Sequence, residues 1–152
     1  MLLCIIVCGQ VWCLVLNKKM SEQINSSQAP EPVGSYPHAR KVGNLLFLSG
    51  VGPRKRGSKD IPGVTWDEKG NLVAYDIAQQ CHSVFQNVKL ILETSGSHWE
   101  NLIDVTVFLT NMKQDFLVFN TIYSEYFVGN QPCRTTVEVN ALPTPIAIEL
   151  KC

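Results

Sequence analysis

Residues 132–152 read PCRTTVEVNALPTPIAIELKC, and they decide the fold because charged residues sit here inside strongly strand-like sequence. Two runs of alternating character, 134–142 and 146–151, flank the turn signal Leu142-Pro143-Thr144-Pro145 and predict two strands. Side chains alternate across a pleated strand, so Val137, Val139 and Ala141 share one side and Arg134, Thr136, Glu138 and Asn140 the other. The first set is expected in the core and the second on a polar face. In the later run Ile146, Ile148 and Leu150 alternate with Ala147, Glu149 and Lys151. A solvated sheet face accounts for any one of these charges. Arg134 and Glu149 together offer more: a guanidinium fork that fits a substrate carboxylate, and a carboxylate able to move protons.

Working back from this stretch, residues 114–128 carry Phe116, Phe119, Tyr123, Tyr126 and Phe127 at helical spacing, which predicts a helix with an aromatic core stripe. Asn120 interrupts it, one turn from Phe116 and Tyr123. A polar group there needs a partner, either a structural hydrogen bond or a water of a site. Residues 102–110, LIDVTVFLT, read as a strand rich in β-branched residues, with Asp104 and Thr106 on its polar side. Asp76 is the expected N-cap of a longer helix reaching about Thr94, stopped by Ser95-Gly96. Its stripe of Ile77, Cys81, Val84, Phe85, Val88, Ile91 and Leu92 makes Cys81 a core residue, and His82 falls off that stripe onto the surface.

Further upstream, Asp67 to Asn71 form a turn before a brief strand at 72–74. Residues 39–42 and 45–49 predict a hairpin around Gly43-Asn44. At Ser49-Gly50 the glycine permits a close backbone approach. Arg54-Lys55-Arg56 lies in a Gly/Pro-bounded loop, readable as a solvated charge run or as a basic lip for an acidic substrate. Residues 1–16 are almost wholly apolar, shorter than the roughly 20 residues of a comfortable membrane span and without the charged start and cleavage site of a secretory signal. Residues 1–29 are therefore expected to be a leader outside the domain, either a targeting or anchoring segment or an upstream extension with Met20 as the true start. The domain is expected at 30–152.

The chain has 152 residues, enough for one domain with one core, and 45% of them are hydrophobic. Thirteen Lys and Arg balance thirteen Asp and Glu, which argues against a general attraction to nucleic acid or anionic membrane. Cys81, Cys133 and Cys152 are too scattered for a disulfide framework or a zinc site, which points to a reducing compartment such as the cytoplasm. Two helices among five or six strands cover one face of a sheet, so the other face is expected to pack on further copies of the chain, with a ligand site at that interface.

Taken together, Gly34-Ser35-Tyr36-Pro37-His38, the run from Gly43 to Gly50, Pro132-Cys133-Arg134-Thr135-Thr136-Val137-Glu138-Val139, Leu142-Pro143 and Ile148-Glu149 resemble the RidA (YjgF) family of imine deaminases. Tyr36-Pro37-His38, the Arg-Thr-Thr-Val run, Asn111-Met112 and Leu142-Pro143-Thr144-Pro145 are most similar to its 2-aminomuconate deaminase branch. The resemblance implies a chorismate-mutase-like α/β fold, a mixed sheet with two helices on one face, assembled as a homotrimer with sites between subunits and with no metal or organic cofactor. It implies that Arg134 binds a substrate carboxylate, that Glu149 helps activate water, and that Tyr36, Ser49, Asn120 and Thr136 line the cleft. Thr136 stands where many members have cysteine, and Val51-Gly52-Pro53-Arg54 replaces a Gln-Ile-Pro common in relatives, which implies a different pocket shape. The expected activity is hydrolysis of a carboxylate-bearing imine or enamine of the 2-aminomuconate type, with a general 2-iminobutanoate/2-iminopropanoate deaminase and a non-catalytic metabolite binder as the alternatives. Nucleic acid is not an expected partner, and a membrane is one only if the N-terminal segment is an anchor.

Overall fold

The structure is a computed structural model that describes residues 21–58 and 60–152, together with the backbone of 2–7 and 10–15. The backbone of β1 (Leu2–Val7) and β2 (Gln10–Val15) pairs antiparallel. The expected start at Met20 lies outside the described residues.

The domain is built on one mixed sheet. Strand β3 (Glu22–Ile24) pairs antiparallel with β4 (Ala39–Val42), which forms the expected hairpin with β5 (Leu45–Leu48) around Gly43 at φ 59°. A separate ribbon joins β6 (Val64–Trp66) to β7 (Leu72–Tyr75), closed by Asp67, whose Oδ1 accepts from the backbone of Lys69 and Asn71. Helix α1 (Ile77–Thr94), strand β8 (Asp104–Leu109), helix α2 (Met112–Tyr126), β9 (Cys133–Glu138) and β10 (Ile148–Lys151) complete the chain. Leu48 N–H donates to Cys152 O at 2.9 Å, and Val51 and Leu150 exchange two backbone bonds, so β5 is spliced onto β10. The continuous order is β3-β4-β5-β10-β8-β9. Across the splice two residues of one strand, Ser49 and Gly50, oppose one of the other, Lys151, which makes a β-bulge.

The helices start where the sequence placed polar caps. Asp76 Oδ1 accepts from Ala78 N and Gln79 N at 2.9 and 3.2 Å, and Asn111 Oδ1 accepts from Gln114 N. α2 thus begins two residues before the expected Gln114, because Asn111 caps it and Glu138 Oε2 takes the Met112 N–H at 2.6 Å. The stripe of α1 is buried as its period predicted, Cys81 included, and the buried thiol is pushed up to about 12. Each such apolar side chain contributes about 1.5–3 kcal/mol on burial. Both helices lie on one face, against Val105, Val107, Leu109, Ile148 and Leu150, none more than 1% exposed. His82, off that stripe, is exposed and bonds Tyr126 Oη at 2.9 Å.

The sequence reading left the pairing of the last two strands open. The strands 134–142 and 146–151 do not meet: β8 lies between them, parallel to β9 and antiparallel to β10. The polarity expected for the first of them is reversed. Register pairs Arg134 with Val105 and Thr136 with Val107, so the polar set faces the helix layer while Val137 faces outward, 37% exposed. The cause is β8: its buried valines choose the helix side, and the parallel register carries Arg134 and Thr136 with them. In addition, the packed structure reaches back before Pro30, since β3 joins the sheet and Ser26 and Ala29 are buried.

One buried carboxylate stands apart. Asp115 is fully buried, accepts from Tyr75 Oη at 2.9 Å and leaves Oδ1 without a partner among the described residues. Burial raises its carboxyl, the Tyr75 bond opposing in part. A raised folded-state value means that stability is greatest below the ordinary carboxylate range and is lost as pH rises through the raised value. Asp115→Asn is expected to remove this loss and to shift the denaturant midpoint upward at pH 7 relative to pH 4, read by urea unfolding at both.

Candidate active site

The sequence-predicted residues fall into two clusters. The first is built on β9 and α2. Arg134 projects from β9 toward α2, where its Nη1 donates to Asn120 Oδ1 at 2.9 Å. Its guanidinium lies over the Tyr123 ring at 4.6 Å and near the Phe119 ring at 5.6 Å. Such stacking contributes about 0.5–1 kcal/mol at an exposed site and fixes the plane of the fork. Asn120 is therefore neither buried nor orphaned. It is exposed, and its Oδ1 accepts from Arg134 and helps to orient the guanidinium. Arg134 remains exposed, beside a hollow bounded by Asn120, Tyr123, Phe127, Gln131 and Pro132. Two residues along β9, Thr136 Oγ1 is buried without a partner among the described residues, as is the Tyr123 hydroxyl. Tyr123 is raised by burial, which outweighs the opposing Arg134 charge.

The second cluster is built on the bulge between β5 and β10. Glu149 sits mid-strand, half-buried, and burial raises its carboxyl above the ordinary range. Gly50 explains how it fits. A Cβ on Gly50 would collide with Glu149 Oε1 and stand 2.8 Å from Cδ, closer than real Cβ atoms come. The bare glycine thus gives its space to the carboxylate rather than only to a ligand. Ser49 Oγ donates to Pro37 O at 2.6 Å, and Ser49, Gly50 and the 42%-exposed Tyr36 line one cleft with His38 and Arg54. His38 is held by Ser26 N–H on Nδ1 and by Pro30 O at Nε2, at 3.1 and 2.9 Å, so its imidazole braces the cleft wall.

The two clusters do not meet within one chain. Glu149 pairs with Phe108 and, through it, Val137, whereas Arg134 pairs with Val105. They therefore occupy opposite faces of the sheet, about 14 Å apart at Cα by strand spacing and rise. The residues that the sequence reading did not bring to Arg134 were Tyr123 and Phe119, whereas Gly50 was singled out for a close approach and takes that of the Glu149 carboxylate. Helical spacing identified the aromatics as core but could not reveal that the guanidinium would lie over them.

Known proteins share this arrangement of strands and helices. A profile of the family described as Endoribonuclease L-PSP matches residues 26–152. A RutC family protein of Pyrococcus abyssi is 38% identical over 130 residues, 86% of this chain and 93% of the relative. Reactive Intermediate Deaminase A, chloroplastic, of Arabidopsis thaliana is 34% identical over 86% of this chain and 64% of its own length. The crystal structure of E. coli TdcF with bound serine superposes with a TM-score of 0.73 at 27% identity, covering 86% of this chain and 94% of that one. The fold is the RidA-type mixed α/β domain. The chain belongs to the RidA (YjgF) family.

Gly50→Ala is expected to leave the fold intact and to push the Glu149 carboxylate out of its niche toward solvent. Titration of Glu149 followed by carboxyl NMR should then show its pKa falling toward the ordinary glutamate value; an unchanged, raised value would contradict the packing.

Proposed function

We propose that the protein is a cofactor-independent hydrolytic deaminase of carboxylate-bearing imines and enamines, acting in the cytoplasm on a 2-aminomuconate-like substrate. The observation that carries this reading is the pair of half-sites: an exposed arginine braced by Asn120, Tyr123 and Phe119, and a half-buried carboxylate with a raised pKa. The first suits a carboxylate, the second proton transfer. The chloroplast relative is named a reactive intermediate deaminase, and E. coli TdcF holds an amino acid. Both fit a site for small amino- or imino-carboxylates.

Because Arg134 and Glu149 face opposite sides of the sheet, one small substrate engages both only if they come from different chains. The open sheet face supports such an assembly. Val42, Leu45, Phe47 and Val137 are 37–51% exposed there, an apolar face unusual for a monomer. In the proposed homotrimer a neighbouring open face abuts β9 and brings the partner's Glu149 cleft to Arg134.

In the mechanism, Arg134 clamps the carboxylate adjoining the C=N bond, while Asn120 and the Tyr123 ring hold the fork in plane. Ionised Glu149 takes a proton from water as the water oxygen bonds to the imine carbon. Glu149 returns that proton to the nitrogen to give the carbinolamine, then takes the hydroxyl proton and passes it to the same nitrogen, so that the C–N bond breaks with loss of ammonia and a ketone or its enol remains. An enamine is first protonated at carbon to reach the same imine. Tyr36 and Ser49 line the Glu149 side, and Thr136 offers its hydroxyl beside Arg134. The family description names a ribonuclease activity, but the balanced charge of the chain argues against RNA as substrate.

Ammonia release is the test, with 2-aminomuconate and with 2-iminopropanoate generated in place. Arg134→Ala is expected to lower kcat/KM by at least about 10²-fold. Glu149→Gln is expected to abolish turnover while keeping ligand binding. If Glu149 is the base, kcat/KM of the wild type declines as pH falls through a value above the ordinary glutamate range. Val137→Asp is expected to convert the trimer to smaller species in sedimentation. Wild-type protein that binds but never releases ammonia would identify a metabolite binder instead.

A further inference from the structure

Three basic residues follow the bulge, and the structure separates them. Arg56 is occupied: Nη2 pairs with Glu31 Oε1 at 3.2 Å and Nη1 donates to Ala29 O at 3.0 Å, tying the N-terminal segment to the loop. Lys55 is exposed, outside the cleft lining. Arg54 is half-buried and forms part of the wall of the cleft that contains Tyr36, Ser49 and Gly50. One of its nitrogens, Nη2, donates to Glu31 O at 2.6 Å, which leaves other donors of the fork for a ligand.

The backbone that carries Arg54 is held unusually firmly for a loop. Asn87, on α1 and 7% exposed, donates from Nδ2 to both Gly52 O and Arg54 O at 2.9 Å. Ser83 Oγ donates to Pro53 O at 2.7 Å. Three carbonyls in succession are thus pinned to a rigid helix, and a solvated charge run requires no such anchoring. Gly50 lines this cleft and also abuts the Glu149 carboxylate, and Arg134 is not among the residues that line it.

We propose that Arg54 is a specificity-determining residue that binds a second carboxylate, so that the site selects dicarboxylic imines and enamines over monocarboxylic ones. This rests on the deaminase reading above. Arg134 takes the carboxylate beside the C=N carbon and Arg54 the distal one, with Glu149 acting between them. Asn87 and Ser83 are positioning residues for Arg54.

The test compares kcat/KM for 2-aminomuconate and for 2-iminopropanoate in the full chain, wild type against Arg54→Gln and Arg54→Lys, with sedimentation to confirm assembly. Loss of a charge-assisted hydrogen bond lowers the dicarboxylate-to-monocarboxylate ratio by about 10- to 100-fold in Arg54→Gln. The loss appears mainly in KM, and Arg54→Lys restores part of the ratio. Equal losses on both substrates would overturn the proposal and make Arg54 a strut for residues 29–31. A wild type active only on 2-iminopropanoate would overturn the dicarboxylate assignment together with Arg54. Inactivity on both would contradict the deaminase reading itself.

Discussion

Side-chain alternation across the three strands β10-β8-β9 is the constraint on which the rest of the structure depends. β8 sits in the middle with Val105, Val107 and Leu109 committed to the helix layer, and its two neighbours inherit that commitment through their register. Arg134 and Thr136 follow the valines toward α2, and Glu149 and Val137 follow Phe108 outward. No side-chain rotation brings Arg134 and Glu149 onto one small molecule within a chain. In the proposed mechanism assembly is then part of the chemistry: the same apolar outer face that carries Val137 and Phe47 carries the carboxylate proposed to work with an arginine.

Each half-site is preorganised by ordinary packing. Asn120 and two aromatic rings already hold the Arg134 fork, so in its proposed role it loses little freedom on binding. Glu149 is raised by burial, and its burial is made possible by a glycine at a bulge. A bulge at this point re-aims the β5 chain so that Ser49 and Gly50 face the cleft, while Val51 returns to the core at 6% exposure.

Much of this was legible in the sequence. The stripe from Ile77 to Leu92, the Asp76 cap, the Gly43-Asn44 hairpin and the motifs of the RidA family each carried a local signal strong enough to survive tertiary context. The pairing of strands did not. Nothing local to residues 134–142 says that the neighbour is β8 rather than the strand after the turn, and the orientation of Val137 depends on that choice. Strand β3 was missed because Glu22-Gln23-Ile24 is polar and short, and it is strand only because β4 offers an edge. The helical position of Asn120 called for a polar partner, and only the fold shows that this partner is Arg134 from β9.

The proposed two-chain site is tested most directly by mixing inactive subunits. Arg134→Ala and Glu149→Gln chains, each inactive alone, are co-expressed and the mixed trimers assayed for ammonia release. If arginine and glutamate come from different chains, random mixing leaves about one quarter of the interfaces with both groups intact, and activity returns to about that fraction of wild type. Mixed trimers with no activity beyond that of the parents would place both groups in one chain and contradict the account.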